Sequence, residues 1–493
     1  MQIPKEISQM TKKLENAGFE AYLVGGCVRD IFMNKEPKDW DITTNATPDQ
    51  ITSLFKHSHY DNDFGTVRVI NDKTENEKLK VIEVTTYRLD ANYSDSRRPD
   101  NVTFSQNFED DLKRRDFTIN ALALKVSHET TDILYETVVD LFDGIKDLNN
   151  GIIKTVGKAD ERFDEDGLRI LRAIRLSSEL GFIINTETEK SIKKMAKKID
   201  LIAKERIRDE FIKIIMSDRP MFGIEIMNRL NILRYIIPEL EEGLGIKQNQ
   251  AHSYDVWEHS LRAVQIASNK KWSLETRLAT LFHDVGKPKT RRWSEEKQDW
   301  TFYGHEVVGS KMTEKILKNL KFPTKTIEKV VLLTRWHMFF SDTDQISLSA
   351  VRRMLRNVGT ENIWDLMNVR IADRVGTGRP KEDPYRLRKY KSMIEEVIRD
   401  PISVKMLKID GGKIMNVTQE TPGPKIGYIL NALLEEVLSD PKKNTESYLE
   451  KKALKLSKLN NKTLRGLGEE GKKKIGAEEE KEKKILRGKY GVK

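Results

Sequence analysis

The sequence predicts an α+β protein: a small α/β head, with a mixed sheet and flanking helices, followed by an all-helical remainder. Three observations predict it. Short β-rich runs alternate with helical ones from residue 1 to about residue 145. Beyond Gly157 the strand signals stop, and long helical periods continue to about residue 440. The 493 residues allow roughly three domains at about 150 residues each, enough chain for several hydrophobic cores.

Taken in order, Met1–Gly18 reads as a helix and Tyr22–Val24 as a strand. Thr66–Ile70 and Val81–Tyr87 are rich in β-branched residues and read as further strands, and Gln106–Arg114 reads as a helix. Asp164–Glu179 and Thr186–Ala196 carry the helical period. Pro238–Gln250 interrupts it and predicts a boundary between two helical domains. Thr421-Pro422-Gly423-Pro424 turns into a helix over Tyr428–Leu438, and no internal repeat is present.

Composition narrows the classes. With 33% charged and 38% hydrophobic residues the chain is globular and too apolar to be a disordered polymer. No run approaches the ~18 apolar residues of a membrane span, and the N-terminus lacks the apolar stretch of a signal peptide. The single cysteine, Cys27, excludes a disulfide framework, so a cytoplasmic location and no membrane partner are expected. The net charge of +10 hints at a polyanionic partner, yet residues from Pro441 onward hold 17 Lys+Arg against 8 Asp+Glu and account for nine of those charges.

Three constellations carry chemistry. In the first, Gly25-Gly26 closes a strand and opens a helix, where backbone N–H groups and the helix N-terminus favour phosphate, with Arg29 one turn further on. Asp39-Trp40-Asp41 follows. In a strand, residues two apart share a face, so Asp39 and Asp41 would project together and could hold Mg²⁺, aligning a 3′-hydroxyl with a nucleotide α-phosphate. Glu83, on a later strand, is a further acid for the same site. Arg114-Arg115-Asp116-Phe117-Thr118-Ile119-Asn120-Ala121 supplies cations for a triphosphate, with Asp116 and Asn120 as hydrogen-bonding groups for a ribose.

The second constellation runs from Arg162 to Arg175. Asp166 and Arg169, three apart, would share one face of a helix and could read a base edge, the carboxylate accepting from an exocyclic amine. Arg172 adds a phosphate or base contact. An isolated pair of this spacing is an ordinary surface ion pair; its place directly after the head is what distinguishes it. Next, Lys190, Lys193, Lys194, Lys197 and Lys198 form a basic stripe suited to an RNA backbone or to a solvated helix face.

The third constellation is His259, His283-Asp284-Val285-Gly286-Lys287, His305-Glu306, His337 and Asp373. Imidazoles and carboxylates in one set suit a divalent transition metal, whose identity the pattern does not fix.

Gly25-Gly26-x-x-Arg29-Asp30, Asp39-x-Asp41, Arg97-Arg98-Pro99-Asp100 and Arg114–Ala121 resemble, in order and spacing, the motif series of the class II tRNA nucleotidyltransferase and bacterial poly(A) polymerase family. The His/Asp set resembles the HD phosphohydrolase signature, and the Pro-Gly-Pro turn with its helix is similar to the end of the HD-bearing family members. The resemblance implies Asp39 and Asp41 as catalytic Mg²⁺ ligands, a mobile loop around Arg97–Pro99, and Glu165-Asp166-x-x-Arg169 as the element selecting CTP and ATP. It implies HD-metal ligation by His259, His283, Asp284 and Asp373, with His305 and His337 open to a second metal and Lys287 beside the phosphate.

The domains expected on this basis are a nucleotidyltransferase head (1–145), a helical neck that selects the base and binds RNA (146–240), an HD domain (241–395), a helical C-terminal region (396–455) and a charged tail (456–493). The expected activity is addition of CCA to the 3′ end of tRNA, with pyrophosphate release. Poly(A) synthesis, C-only or A-only addition, a mainly HD-hydrolase role and non-catalytic RNA binding stay open on the sequence.

Overall fold

The computed structural model describes residues 3–60, 65–72, 74–91, 101–127, 138–250, 252–338, 347–379, 381–398, 403–465 and 467. The Arg97–Asp100 motif and residues 468–493 of the charged tail lie outside the described residues. The chain divides into two compact units, Met1–Pro238 and Glu239–Lys493.

The first unit is built on a seven-stranded sheet ordered Ser58–Tyr60, Thr66–Ile70, Val81–Thr86, Asp41–Thr44, Ala21–Val24, Leu122–Leu124, Val138–Asp140. Its one parallel pair joins Asp41–Thr44 to Val81–Thr86, and the rest are antiparallel, so the sheet is mixed as expected. Alternation sets which face is buried: Ile82, Val84 and Thr86 point inward from one strand, Val67 and Val69 from its neighbour. The helix Lys5–Asn16 buries Ile7, Met10, Thr11 and Leu14, the stripe that a 3.6-residue period dictates.

Three expectations need correction here. Asp39 precedes the strand, which begins at Asp41, so the two acids do not share a strand face; Asp39 is exposed. Asp164–Glu179 is not one helix either. A helix Ala159–Glu165 ends, Asp166 adopts an extended conformation (φ −146°, ψ 106°), and a second helix runs Leu168–Leu180. Gly167 sits in the break, where an added Cβ would come within 3.3 Å of Ile202 and Lys198. Strands also persist beyond Gly157: Ile183–Ile184 pairs in parallel with Ile152–Ile153, and in the second unit Arg292–Ser294 pairs with Asp299–Thr301.

The second unit is otherwise helical. Val256–Asn269 packs on Leu274–Phe282 and Ile363–Gly376, and Thr324–Trp336 packs on His305–Asn319. Leu348–Val358 lies against Tyr385–Val397, and Pro424–Ser439 packs with Glu446–Ser457. Among the described residues no helix is long and apolar enough to cross a membrane.

Candidate functional site

In the head, the turn after Ala21–Val24 places Gly25 at φ 80°, ψ −137°, ahead of the helix Gly26–Phe32. A Cβ there would be strained, 3.2 Å from the Arg115 guanidinium and 3.6 Å from Asp41 Oδ2. The bare backbone, a cation and a carboxylate therefore meet at one point. Parallel register sets Glu83 directly beside Asp41. Burial pushes the Asp41 carboxyl up to about 6 against the opposing charge of Arg115, and Glu83 and Asp39 add to the push. Cys27, next in the helix, is buried with its thiol donating toward the Val24 carbonyl; burial pushes it up to about 12, the behaviour of a packing residue.

Arg115 and Arg114 are both held by Asp111, a fully buried acid that the sequence reading missed. Arg115 Nη2 donates to Asp111 Oδ2 at 3.0 Å and Arg114 Nε to Oδ1 at 3.0 Å. The arginines hold Asp111 below the usual carboxylate range although burial opposes them. A second network starts at the glycine turn. Arg29 Nη1 donates to Asn120 Oδ1 (2.8 Å), Asn120 Nδ2 to Asp116 Oδ1 (3.2 Å), and Arg172 Nε to Asp116 Oδ2 (2.7 Å). Burial alone would raise Asp116, but Arg172, helped by Arg169 and Asn120, holds it down to about 2.

Asp166 and Arg169 do not pair with each other. Asp166 Oδ1 caps the new helix by accepting from Leu168 N (3.0 Å), and both of its oxygens accept from Arg206 (3.3 and 2.7 Å). Arg169 donates to Glu165, to the Arg162 carbonyl (3.2 Å) and to the Arg114 carbonyl (3.0 Å), while Arg162 reaches the Lys113 carbonyl (3.1 Å). The helix break thus turns the two groups to different partners. The basic stripe is largely neutralised: Lys190 pairs with Glu187, Lys193 with Glu189, Lys194 with Asp160 and Lys198 with Asp164, and Lys197 is exposed.

In the second unit five helices bring one buried cluster together. His259 lies in Val256–Asn269, His283 and Asp284 follow Leu274–Phe282, His305 starts one helix, His337 follows another and Asp373 lies near the end of Ile363–Gly376. A close approach fixes it: a Cβ on Gly286 would sit 2.3 Å from the His305 carbonyl oxygen, so only glycine lets these segments meet. His283, His305 and His337 each direct Nδ1 at a carbonyl three residues back, at 2.7–2.8 Å. A carbonyl only accepts, so Nδ1 carries the proton and Nε2 presents a lone pair inward.

The lone pairs of His305 and His337 then face each other, Nε2 to Nε2 at 3.2 Å, and His283 Nε2 lies 2.9 Å from His259 Nε2. Facing lone pairs repel unless positive charge lies between them. Asp284 serves both: Oδ2 is 3.2 Å from the His259 and His283 nitrogens, Oδ1 3.3 Å from His305. Asp373 Oδ1 is 3.3 Å from His259. Although burial opposes it, Asp284 and Asp373 raise His283 to about 10, so without a metal its Nε2 holds a proton that a bound metal would replace. The donor set therefore fits a divalent metal of the transition series.

His252, also missed in the sequence, lies within ligand range of His259 and Asp373. Burial and the charge of Lys287 push it down to about 4, so its ring is neutral at neutral pH. Lys287, expected beside a phosphate, instead has Nζ 2.6 Å from Asp284 Oδ2 and 2.6 Å from Gln248 Oε1. Among the described residues the head acids form no comparable three-ligand group. They fit Mg²⁺ in its usual protein setting, one or two carboxylates completed by substrate phosphates.

Fold and sites define the class of protein. Residues 21–154 match the poly A polymerase head domain family, 181–244 the family described as the probable RNA and SrmB-binding site of polymerase A, and 256–377 the HD domain family. This is a nucleotidyltransferase with an HD domain. The CCA-adding enzyme of Lactiplantibacillus plantarum is 31% identical over 457 residues, covering 91% of this chain and 96% of that protein. That of Leuconostoc mesenteroides is 41% identical over 281 residues, 55% of this chain and 66% of its own. The solved CCA-adding enzyme of Bacillus stearothermophilus, in complex with CTP, matches with a TM-score of 0.68 at 25% identity, covering 92% of this chain and 97% of that one. The chain belongs to the family of CCA-adding enzymes.

Proposed function

We propose that this enzyme adds C, C and then A to the 3′ end of tRNA from CTP and ATP, and that its HD site hydrolyses phosphoesters. The meeting of Asp41, Arg115 and the Gly25 backbone supports the first part most directly. The 3′-hydroxyl oxygen of the RNA attacks the α-phosphorus, the bond to the β-phosphate breaks, pyrophosphate leaves and the hydroxyl proton passes to water. Asp39 and Asp41 would hold Mg²⁺, which when bound withdraws charge from the α-phosphate and acidifies the hydroxyl. Gly25, Gly26, Arg29 and Arg115 bind the triphosphate, Asp116 and Asn120 align the ribose side, and Asp166, Arg169 and Arg172 with Arg162 choose the base. Because Arg206 holds both Asp166 oxygens, base choice works through this clamped carboxylate.

Lys190, Lys193, Lys194, Lys197 and Lys198 contact tRNA phosphates, exchanging their acidic partners for RNA; they fall within the RNA-binding family match. At the HD site His259, His283, Asp284 and Asp373 would hold one metal, and His305 and His337 with Asp284 a second. A bound metal there would activate water for attack on phosphorus. The ester P–O bond breaks and the released alcohol takes up a proton. The division into head, neck, HD domain, C-terminal helices and tail goes with this reading, as does a cytoplasmic location.

Purified protein, Mg²⁺ and a tRNA ending before CCA test the proposal, with CTP and ATP supplied singly and together. Growth by three nucleotides is expected only with both. An unlimited A tail, or no extension, would overturn it.

A further inference from the structure

A cavity of about 780 Å³ opens beside the His/Asp cluster, with Asp284, His305, His337 and Asp373 in its wall. Sites of this size enclose a whole small molecule, far more than a phosphate group alone. Six of its lining residues are Lys or Arg and three are Asp, so the cavity is net positive even though it contains the metal-binding acids. Two of the cations are engaged by those acids: Lys287 by Asp284, and Arg370, whose Nη1 is 2.6 Å from Asp373 Oδ2.

Arg374 and Arg379 are placed differently. Arg374 donates Nε to the Lys381 carbonyl, an uncharged acceptor, at 2.9 Å. Arg370, Arg374 and Arg379 all line the same cavity. Like charges gathered in a cavity wall attract a multivalent anion. The hairpin Arg292–Ser294/Asp299–Thr301 and the residues after it add an aromatic wall of Trp300, Phe302 and Tyr303. The Arg291 guanidinium covers Trp300 at 3.6 Å from the ring centroid, and Tyr303 is 56% exposed. Arg291 thus occupies one face of Trp300, while the exposed Tyr303 ring offers a face on which a nucleobase can stack, at ~1–3 kcal/mol per base.

From this juxtaposition we infer that the HD cavity takes a nucleoside bearing two phosphate groups, one at the His/Asp cluster and a second held by Arg374 and Arg379, with its base against Tyr303. The inference rests on the phosphohydrolase reading above. Two sources share this chemistry: a free nucleoside 3′,5′-bisphosphate and the 3′-phosphorylated end of an RNA, whose last phosphodiester supplies the second charge.

The test uses full-length, metal-loaded enzyme and four substrates: p-nitrophenyl phosphate, adenosine 3′-monophosphate, adenosine 3′,5′-bisphosphate and a trinucleotide with a 3′-phosphate. The bisphosphate should exceed the monophosphate about tenfold in kcat/KM, the worth of one or two charge-assisted hydrogen bonds. Arg374→Ala/Arg379→Ala should erase that ratio, and Arg379→Ala alone, at an exposed position, should lower it several-fold. Calorimetry of the bisphosphate binding to chelator-treated protein reads the same loss without turnover. If p-nitrophenyl phosphate is hydrolysed but the ratio is one and the variants change nothing, the second phosphate subsite is overturned. If no ester is hydrolysed yet calorimetry shows arginine-dependent binding, the hydrolase reading fails and the subsite stands. A lower KM for the trinucleotide than for the bisphosphate identifies the RNA end; the reverse identifies the free nucleotide.

Discussion

The head and the HD cluster both gather carboxylates suited to cations, and they differ in how much of the set stands assembled. In the head, Asp41 stands in a strand with Glu83 beside it and Asp39 exposed ahead of it, and among the described residues no three head ligands converge as closely as those of the HD cluster. In the HD cluster four imidazoles and two carboxylates already stand within hydrogen-bonding distance, with three ring tautomers fixed by backbone carbonyls. On the proposed reading, substrate phosphates would complete the first site, whereas the second already gathers its donors. A substrate-completed site can release its metal with pyrophosphate at every cycle, whereas a preassembled one retains it.

The largest expected effect separates the two metals. Asp284→Asn should remove tightly bound metal, read by elemental analysis after desalting, and lower phosphoester hydrolysis at least ~1,000-fold. Incorporation of CTP into tRNA should stay within twofold; its parallel loss would break the two-site picture. Asp111→Asn comes next. Leaving Arg114 and Arg115 without their buried partner should cost about 3–5 kcal/mol in denaturant unfolding of the first unit. A loss below about 1 kcal/mol would show that the head arginines are not anchored as described.

The smallest effect concerns Asp41 and has the opposite sign. Its folded value, about 6, lies above the unfolded value of 3.8, so the folded protein binds the proton more tightly. That contribution is complete below pH 3.8 and is lost as pH rises through 6, leaving an ionised carboxylate that opposes folding at pH 8. Asp41→Asn should therefore stabilise the metal-free protein at pH 8 by about 1–3 kcal/mol, with no gain at pH 3.5, while abolishing addition. Thermal unfolding at the two pH values measures it, and a variant less stable than wild type at pH 8 would contradict the raising of Asp41 by burial, with Glu83 adding to it.

What the sequence made legible was local. Gly25-Gly26 and Asp41 sit within one strand-turn-helix and the neighbouring strand, so a short motif describes them. The HD residues announced themselves because imidazole-carboxylate sets have few other uses. Asp111 was not legible, since an acid in Phe108–Lys113 looks like any helix-start carboxylate until Thr43 and two arginines close over it. Arg206 was hidden for a similar reason, forty residues from the carboxylate it clamps. The reading of Asp166 and Arg169 as one helix face failed on a signal that was present: Gly167, a poor helix former, marks the break. Asp39 failed because a strand's start depends on its partners, and pairing with Val81–Thr86 begins at Asp41.

The relay from Arg29 through Asn120 and Asp116 to Arg172 has a consequence for modularity. On a sequence map the matched head domain and the helix Leu168–Leu180 after it look like exchangeable parts, yet the buried Asp116 of the head takes its counter-charge from Arg172, helped by Arg169, in that helix. A chimera lacking Arg172 would leave the Asp116 Oδ2 without its donor and the buried charge held only by Asn120 and the Phe117 N–H on Oδ1, with Arg169 further off. A substitution at Asp116 therefore calls for a matching one at Arg172.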